Sequence, residues 1–177
     1  MGTQLVVDRP NVAQCILGID PGLNTTGYAV ISRHGGCLRL LEAGIVRSRA
    51  RDPLGTRLKE LSDGVREVIA SHPIDAVALE QLFSHYERPR TAILMGHARG
   101  VICLAAGEAG LSIDHYEPTR VKKVMTGNGR ASKSQMQLAV KLQLGLEHVP
   151  EPNDVADAMA IALTGHYLAG NPLAKAM

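Results

Sequence analysis

Two short apolar runs, CILGID at residues 15–20 and AVALE at residues 76–80, each end in a carboxylate and lead straight into turn or loop residues. Between them, residues 53–72 carry Leu54, Leu58, Leu61, Val65, Val68 and Ile69 at three-and-four spacing, with Pro53 suited to a first helical position. That spacing predicts an amphipathic helix. A strand, helix, strand succession implies parallel pairing, because a crossover of this length returns the chain in its original direction. If the two strands are neighbours, Asp20 and Glu80 lie together at the carboxyl edge of the sheet, where ligand sites of open α/β sheets collect.

The remaining elements extend this frame. TGYAVISRHGG and CLRLLEAGIVR, residues 26–47, read as two antiparallel strands joined at a Gly35-Gly36 hairpin. Residues 91–109 form a helix that is apolar nearly all round, which suits burial against the sheet and a second surface such as a subunit interface. A short strand, LSIDHY, then a turn at Glu117-Pro118, the connector TGNGRAS and helices at 132–144 and 153–169 complete the chain. The expectation is an α/β fold with a mixed five-stranded sheet flanked by helices. With 177 residues and 45% hydrophobic content, one core suffices. Its domain spans residues 15–170, after a loosely ordered extension at 1–14 and before a tail at 171–177.

Composition excludes several classes. Cys15, Cys37 and Cys103 show no CxxC spacing and sit among apolar neighbours, as reduced packing residues of a cytoplasmic protein do. The histidines lack HxxxH or HExxH spacing, so a zinc enzyme is unsupported. No apolar run reaches the roughly 18 residues of a membrane span. The net charge of +2 permits a nucleic-acid partner without requiring one.

The acids and bases are distributed unevenly. In PNDVADAMAIAL, Asp154 and Asp157 lie one helical turn apart at the head of an otherwise apolar helix, with Asn153 as the expected N-cap. Two carboxylates about 4 Å apart repel by roughly 4 kcal/mol at an effective dielectric of 20, more than a helix dipole offsets. If Asp154 and Asp157 converge with Asp20 and Glu80, divalent cations preferring hard oxygen ligands, Mg²⁺ or Mn²⁺, supply the compensation. Taken singly, each acid has a plainer role as a turn former, strand end or helix cap. Between Pro118 and Leu146, Arg120, Lys122, Lys123, Arg130, Lys133 and Lys141 occur without one acid. Lys133, Gln137 and Lys141 repeat along one helix face able to follow a phosphate backbone, while Leu138 and Val140 help bury the others. Phe83, the chain's one Phe, stands in the loop EQLFSHYERPR with Tyr86, Arg88 and Arg90, where it suits stacking on an unpaired base as well as ordinary packing.

These stretches resemble the RuvC family of Holliday junction resolvases: ILGIDPGLNTTGYAVI, ALEQLF, GHARGV, GNGRASKSQMQ and NDVADAMAIAL occur in the family's order across roughly residues 15–167. The resemblance implies a ribonuclease H-like crossover junction endodeoxyribonuclease. It implies metal-binding catalytic acids at Asp20, Glu80, Asp154 and Asp157, basic residues for cleavage or DNA binding at Lys122 and Lys133, and a junction-distorting aromatic at Phe83. It further implies two Mg²⁺ or Mn²⁺ ions, a homodimer making paired symmetric nicks in four-way junction DNA, and cooperation with the RuvA–RuvB branch-migration complex. Arg88, Arg90, Arg130 and Lys141 are added here as DNA contacts on charge alone. After Phe83 the chain reads SHYERPRTA where family members commonly carry a stretch like FAKNxxSA, so contacts there transfer less directly. Two other classes share parts of the pattern. GIDPG resembles the first phosphate motif of actin-like kinases, but no second DxGxT motif follows; a non-catalytic junction binder or RNA-processing relative could reuse the fold.

Overall fold

The structure is a computed structural model that describes residues 14–82 and 89–169. Residues 1–13 of the expected extension and the whole expected tail lie outside the described residues. In chain order the elements are β1 (Cys15–Asp20), β2 (Thr25–His34), β3 (Cys37–Arg47), α1 (Leu54–Ser71), β4 (Ala76–Glu80), α2 (Pro89–Glu108), β5 (Ser112–Tyr116), α3 (Pro118–Thr126), α4 (Lys133–Leu144) and α5 (Asn153–Leu168).

The five strands form one sheet in the order β3-β2-β1-β4-β5. β1, β2 and β3 pair antiparallel, and β4 pairs parallel with both β1 and β5. The sheet is mixed, as the connections require. The β2–β3 turn has positive φ at both central residues, 56° at Gly35 and 87° at Gly36, the backbone of a two-residue hairpin that glycine adopts without strain.

Period-two alternation divides the core. Cys15, Leu17 and Ile19 of β1, with Val77 and Leu79 of β4, pack under α1 and α2. Ile16 of β1 and Ala78 of β4 face the other way, into a second cluster built with α3, α4 and α5. Each fully buried Leu or Ile of this kind contributes about 1.5–3 kcal/mol by leaving water. The same alternation turns Asp20 and Glu80 toward the α5 side, since each follows its inward neighbour by an even number of residues. β1 and β4 are in register from Ile16↔Ala76 to Ile19↔Leu79, so the two acids emerge side by side.

Helix α5 lies unusually close to the sheet. A Cβ at Gly18 would collide with the Ala158 carbonyl and the Ala162 backbone, and one at Gly27 would collide with the Asp154 carbonyl. At its far end, His166 Nε2 donates to the Ile31 carbonyl at 2.8 Å, and Arg33 Nη2 donates to the His166 carbonyl at 2.8 Å.

Several local expectations are corrected. Residues 118–126 are a helix, where the sequence pattern predicts a turn at Glu117-Pro118, a connector from Thr126 and no element between: Pro118 opens it, Val121 and Met125 bury one face, and Gly127 ends it with φ 76°. Pro152, not Asn153, is the N-cap of α5, and the Asn153 amide oxygen accepts from Gln137 Nε2 at 2.8 Å. Pro53 likewise stands one place before α1, as its N-cap. Leu138 is 51% exposed; Met136 and Val140 are the buried residues of α4. Cys37 is exposed, because its position at the hairpin lies beyond the helices that cover the sheet.

Candidate active site

Asp20 and Glu80 meet at the carboxyl edge of the sheet and share a hydrogen bond, protonated Asp20 donating to the Glu80 carboxylate. Burial is the largest influence on Asp20, followed by the charge of Glu80 and that hydrogen bond; with lesser contributions from Asp157 and Asp154 they push its pKa up to about 8. Burial also raises Glu80, against opposing effects from the Asp20 bond, Arg99 and Lys122. Asp157 is raised by burial first; Lys133 and Lys122 pull it back while Asp154 adds repulsion. Acids from three separate stretches of the chain therefore act on one another: Glu80, Asp157 and Asp154 on Asp20, Asp157 on Glu80, and Asp154 on Asp157.

The fold explains the convergence. Asp20 pairs across the ladder with Gly27, and the Asp154 backbone rests directly over Gly27. Glycine at that one position lets the first turn of α5 reach the sheet edge, and the three-residue spacing brings Asp157 onto the same side. A cleft of about 200 Å³ opens beside them, lined by Glu80, Lys122, Lys133, Met136, Asp157 and Ile161. α3 supplies Lys122 and the first turn of α4 supplies Lys133. Ser132 fixes that turn through a capping box, its hydroxyl accepting from the Gln135 amide at 3.3 Å while its own amide donates to Gln135 Oε1 at 2.8 Å.

Chemically, this is an all-oxygen anionic wall facing two ammonium groups. Hard divalent cations fit such a donor set, and neither thiolate nor imidazole belongs to it. Among the described residues, no group of three or more His, Cys, Asp and Glu is drawn together tightly enough to be a finished ligand set.

The other expected contacts fall in three places. Arg130 is exposed in the α3–α4 connector, its amide donating to Asn128 Oδ1 at 3.0 Å. Lys141 belongs to the last turn of α4, eight residues and so about 12 Å along the helix from Lys133. Arg90 is exposed in the first turn of α2. Phe83 and Arg88 lie outside the described residues. Sequence reasoning missed Gly18 and Gly27 as docking positions; their signal was a glycine in each of two otherwise well-formed strands. It also missed Arg99, one cation within the nearly continuous apolar run of α2.

The family model described as crossover junction endodeoxyribonuclease RuvC matches residues 16–166. The chain belongs to the RuvC family. It is similar to the crossover junction endodeoxyribonuclease RuvC of Rhodopirellula baltica, with 71% identity over 177 residues, covering 100% of this chain and 99% of the relative. The Chloroflexus aggregans protein of the same name is 45% identical over 153 residues, 86% of this chain and 93% of that one. Among solved structures, T. thermophilus RuvC in complex with Holliday junction substrate superposes with a TM-score of 0.84 at 35% identity, covering 89% of this chain and 95% of that one. The yeast mitochondrial Holliday junction resolvase Ydc2, 13% identical with a TM-score of 0.62, shares the fold alone. The mixed five-stranded sheet with five helices is thus the ribonuclease H-like fold of this family.

Proposed function

We propose that the RuvC chain cuts four-way DNA junctions at the cleft where Asp20, Glu80, Asp154 and Asp157 face Lys122 and Lys133. As a family member it is a crossover junction endodeoxyribonuclease that resolves Holliday junctions. The observation carrying the residue assignment is geometric: Asp20 and Glu80 emerge side by side from neighbouring strands, and the first turn of α5, which carries Asp154 and Asp157, rests over the same sheet edge at Gly27.

Asp20, Glu80 and Asp157, with Asp154 beside them, would hold the divalent ions, Mg²⁺ or Mn²⁺. When bound, two such ions supply Lewis-acid stabilisation of the scissile phosphate and acidify the attacking water. The chain's own contribution is positional. Asp20 and Glu80 are fixed by paired strands, and Asp157 by a helix packed on those strands. Lys122 and Lys133 oppose the acids and bring positive charge to the phosphate, where charge accumulates in the transition state. Phe83, Arg88, Arg90, Arg130 and Lys141 would serve DNA binding at greater distance from the cut.

Paired symmetric nicks need two clefts, and a twofold homodimer provides them. α2 is the favoured interface: its outer face exposes Ile93 at 60% and Leu104 at 54%, and side chains added at Gly96 and Gly100 would meet open space. The RuvA–RuvB complex is the expected partner by family. No helix among the described residues is long and apolar enough to cross a membrane, and the three cysteines are free, which suits a cytoplasmic enzyme. The deciding experiment incubates Asp20→Asn with a synthetic four-way junction: binding persists and cleavage disappears. Parallel loss of both would reject the division between acids and lysines.

A further inference from the structure

Glu80 is the last residue of β4, and besides the strands that pair with it a side chain from a different element bonds to its backbone. The β4–β5 ladder closes with the Gln81 amide donating to the Tyr116 carbonyl at 2.8 Å. Beside it, Arg99 of α2 extends a guanidinium whose Nη1 donates to the Glu80 carbonyl, while Nη2 donates to His115 Nδ1 of β5 at 2.9 Å. We propose that Arg99 is a positioning residue for Glu80, clamping the ends of β4 and β5 together so that the Glu80 carboxylate is presented to the acid cleft. The proposal rests on the reading of Glu80 as a metal-binding acid.

Three features support it. A planar fork of donors reaches two acceptors on different strands at once, which a lysine ammonium on a single flexible stem does less well. An arginine can only donate, so His115 accepts at Nδ1 and its neutral ring carries its hydrogen on Nε2. Arg99 is also half-buried and two buried neighbours on its helix, Ala98 and Ile102, anchor it against the sheet. The acid thus hangs from a fixed point one layer away. Partners that hydrogen-bond a metal ligand directly typically change metal affinity or activity by about 10- to 100-fold when removed, and Arg99, which grips the backbone of the ligand's residue, is expected to act on the same scale.

Arg99→Gln, Arg99→Lys and Glu80→Gln are compared with wild type in three measurements: junction binding without divalent ions, direct Mn²⁺ titration with no DNA present, and single-turnover cleavage. Arg99→Gln is expected to bind the junction as wild type does, to bind Mn²⁺ more weakly and to cut about 10- to 100-fold more slowly. Arg99→Lys, which keeps the charge but not the fork, should fall between them. If Arg99→Gln fails to fold, the lysine variant carries the same test. Wild-type Mn²⁺ affinity in a folded Arg99 variant overturns the proposal, as does a loss of junction binding as large as the loss of cutting, which would make Arg99 a DNA contact. Wild-type cutting by Glu80→Gln removes the acid-site reading itself, independently of Arg99.

Discussion

Asp20 shows what a single buried carboxylate does to this protein. Its folded-state pKa, about 8, stands far above the unfolded value near 4. Between those two values the folded chain keeps a proton that the unfolded chain has lost, so raising the pH through this window favours unfolding. Metal-free protein should therefore lose stability from this group between pH ~4 and pH ~8, and Mg²⁺ or Mn²⁺ should restore it most strongly at the alkaline end. Thermal melting across pH, with and without the ion, reads this directly; a metal-induced rise in Tm that is equal at both ends would contradict it. Asp20→Asn should flatten the same slope and raise the metal-free Tm at pH 8 while abolishing cleavage. A variant that is more stable and inactive is the mark of charge held for function. The buried ring of His166 has the opposite sign: burial lowers its pKa against the opposing pull of its bond to the Ile31 carbonyl, so the folded chain disfavours the charged ring and loses stability as the pH falls below the ordinary histidine range.

Helix α5 is the element on which the site depends. Its docking depth is set by Gly18 and Gly27, where any side chain would strike helix backbone that cannot rotate away. Gly27→Ala should cost about 1–3 kcal/mol by overpacking and should also slow cleavage, because the displaced turn carries Asp154 and Asp157. Urea unfolding checks the first effect and junction cleavage the second; an unchanged midpoint would show that the helix has room to shift. Helix α4 contributes charge instead of depth. Lys133→Ala should reduce the slope of log affinity against log salt by about one, as loss of one phosphate contact does. Lys141→Ala should do the same only if DNA follows α4 past its first turn. An unaltered slope takes either lysine off the phosphate track.

For the whole molecule, the uncovered face of α2 lies against no other described element, although Ile93 and Leu104 are the kind of residues that leave water when they can. A charge on this face, as in Leu104→Asp, should dissociate the proposed dimer in sedimentation without lowering the melting of the monomer by much. Junctions should then be nicked singly instead of resolved by paired cuts. A wild-type chain that sediments as a monomer at micromolar concentration and still makes paired cuts would refute the arrangement.

The sequence by itself determined the strands, the parallel crossover and the residue types of the site. Alternation in CILGID and AVALE, the helix period of residues 53–72 and the Gly35-Gly36 turn are local signals, and local sterics and patterning enforce them. It left α3 undetected because nine residues with two buried positions carry too little periodicity to separate helix from turn. It also put the cap of α5 on Asn153, whose side chain a neighbouring helix claims. Only the tertiary structure decided that β1 and β4 are neighbours in register, that glycines admit α5 to contact, and that Arg99 grips the end of β4. Those outcomes depend on distances between residues far apart in the chain, and such distances are set by packing, which no local pattern encodes.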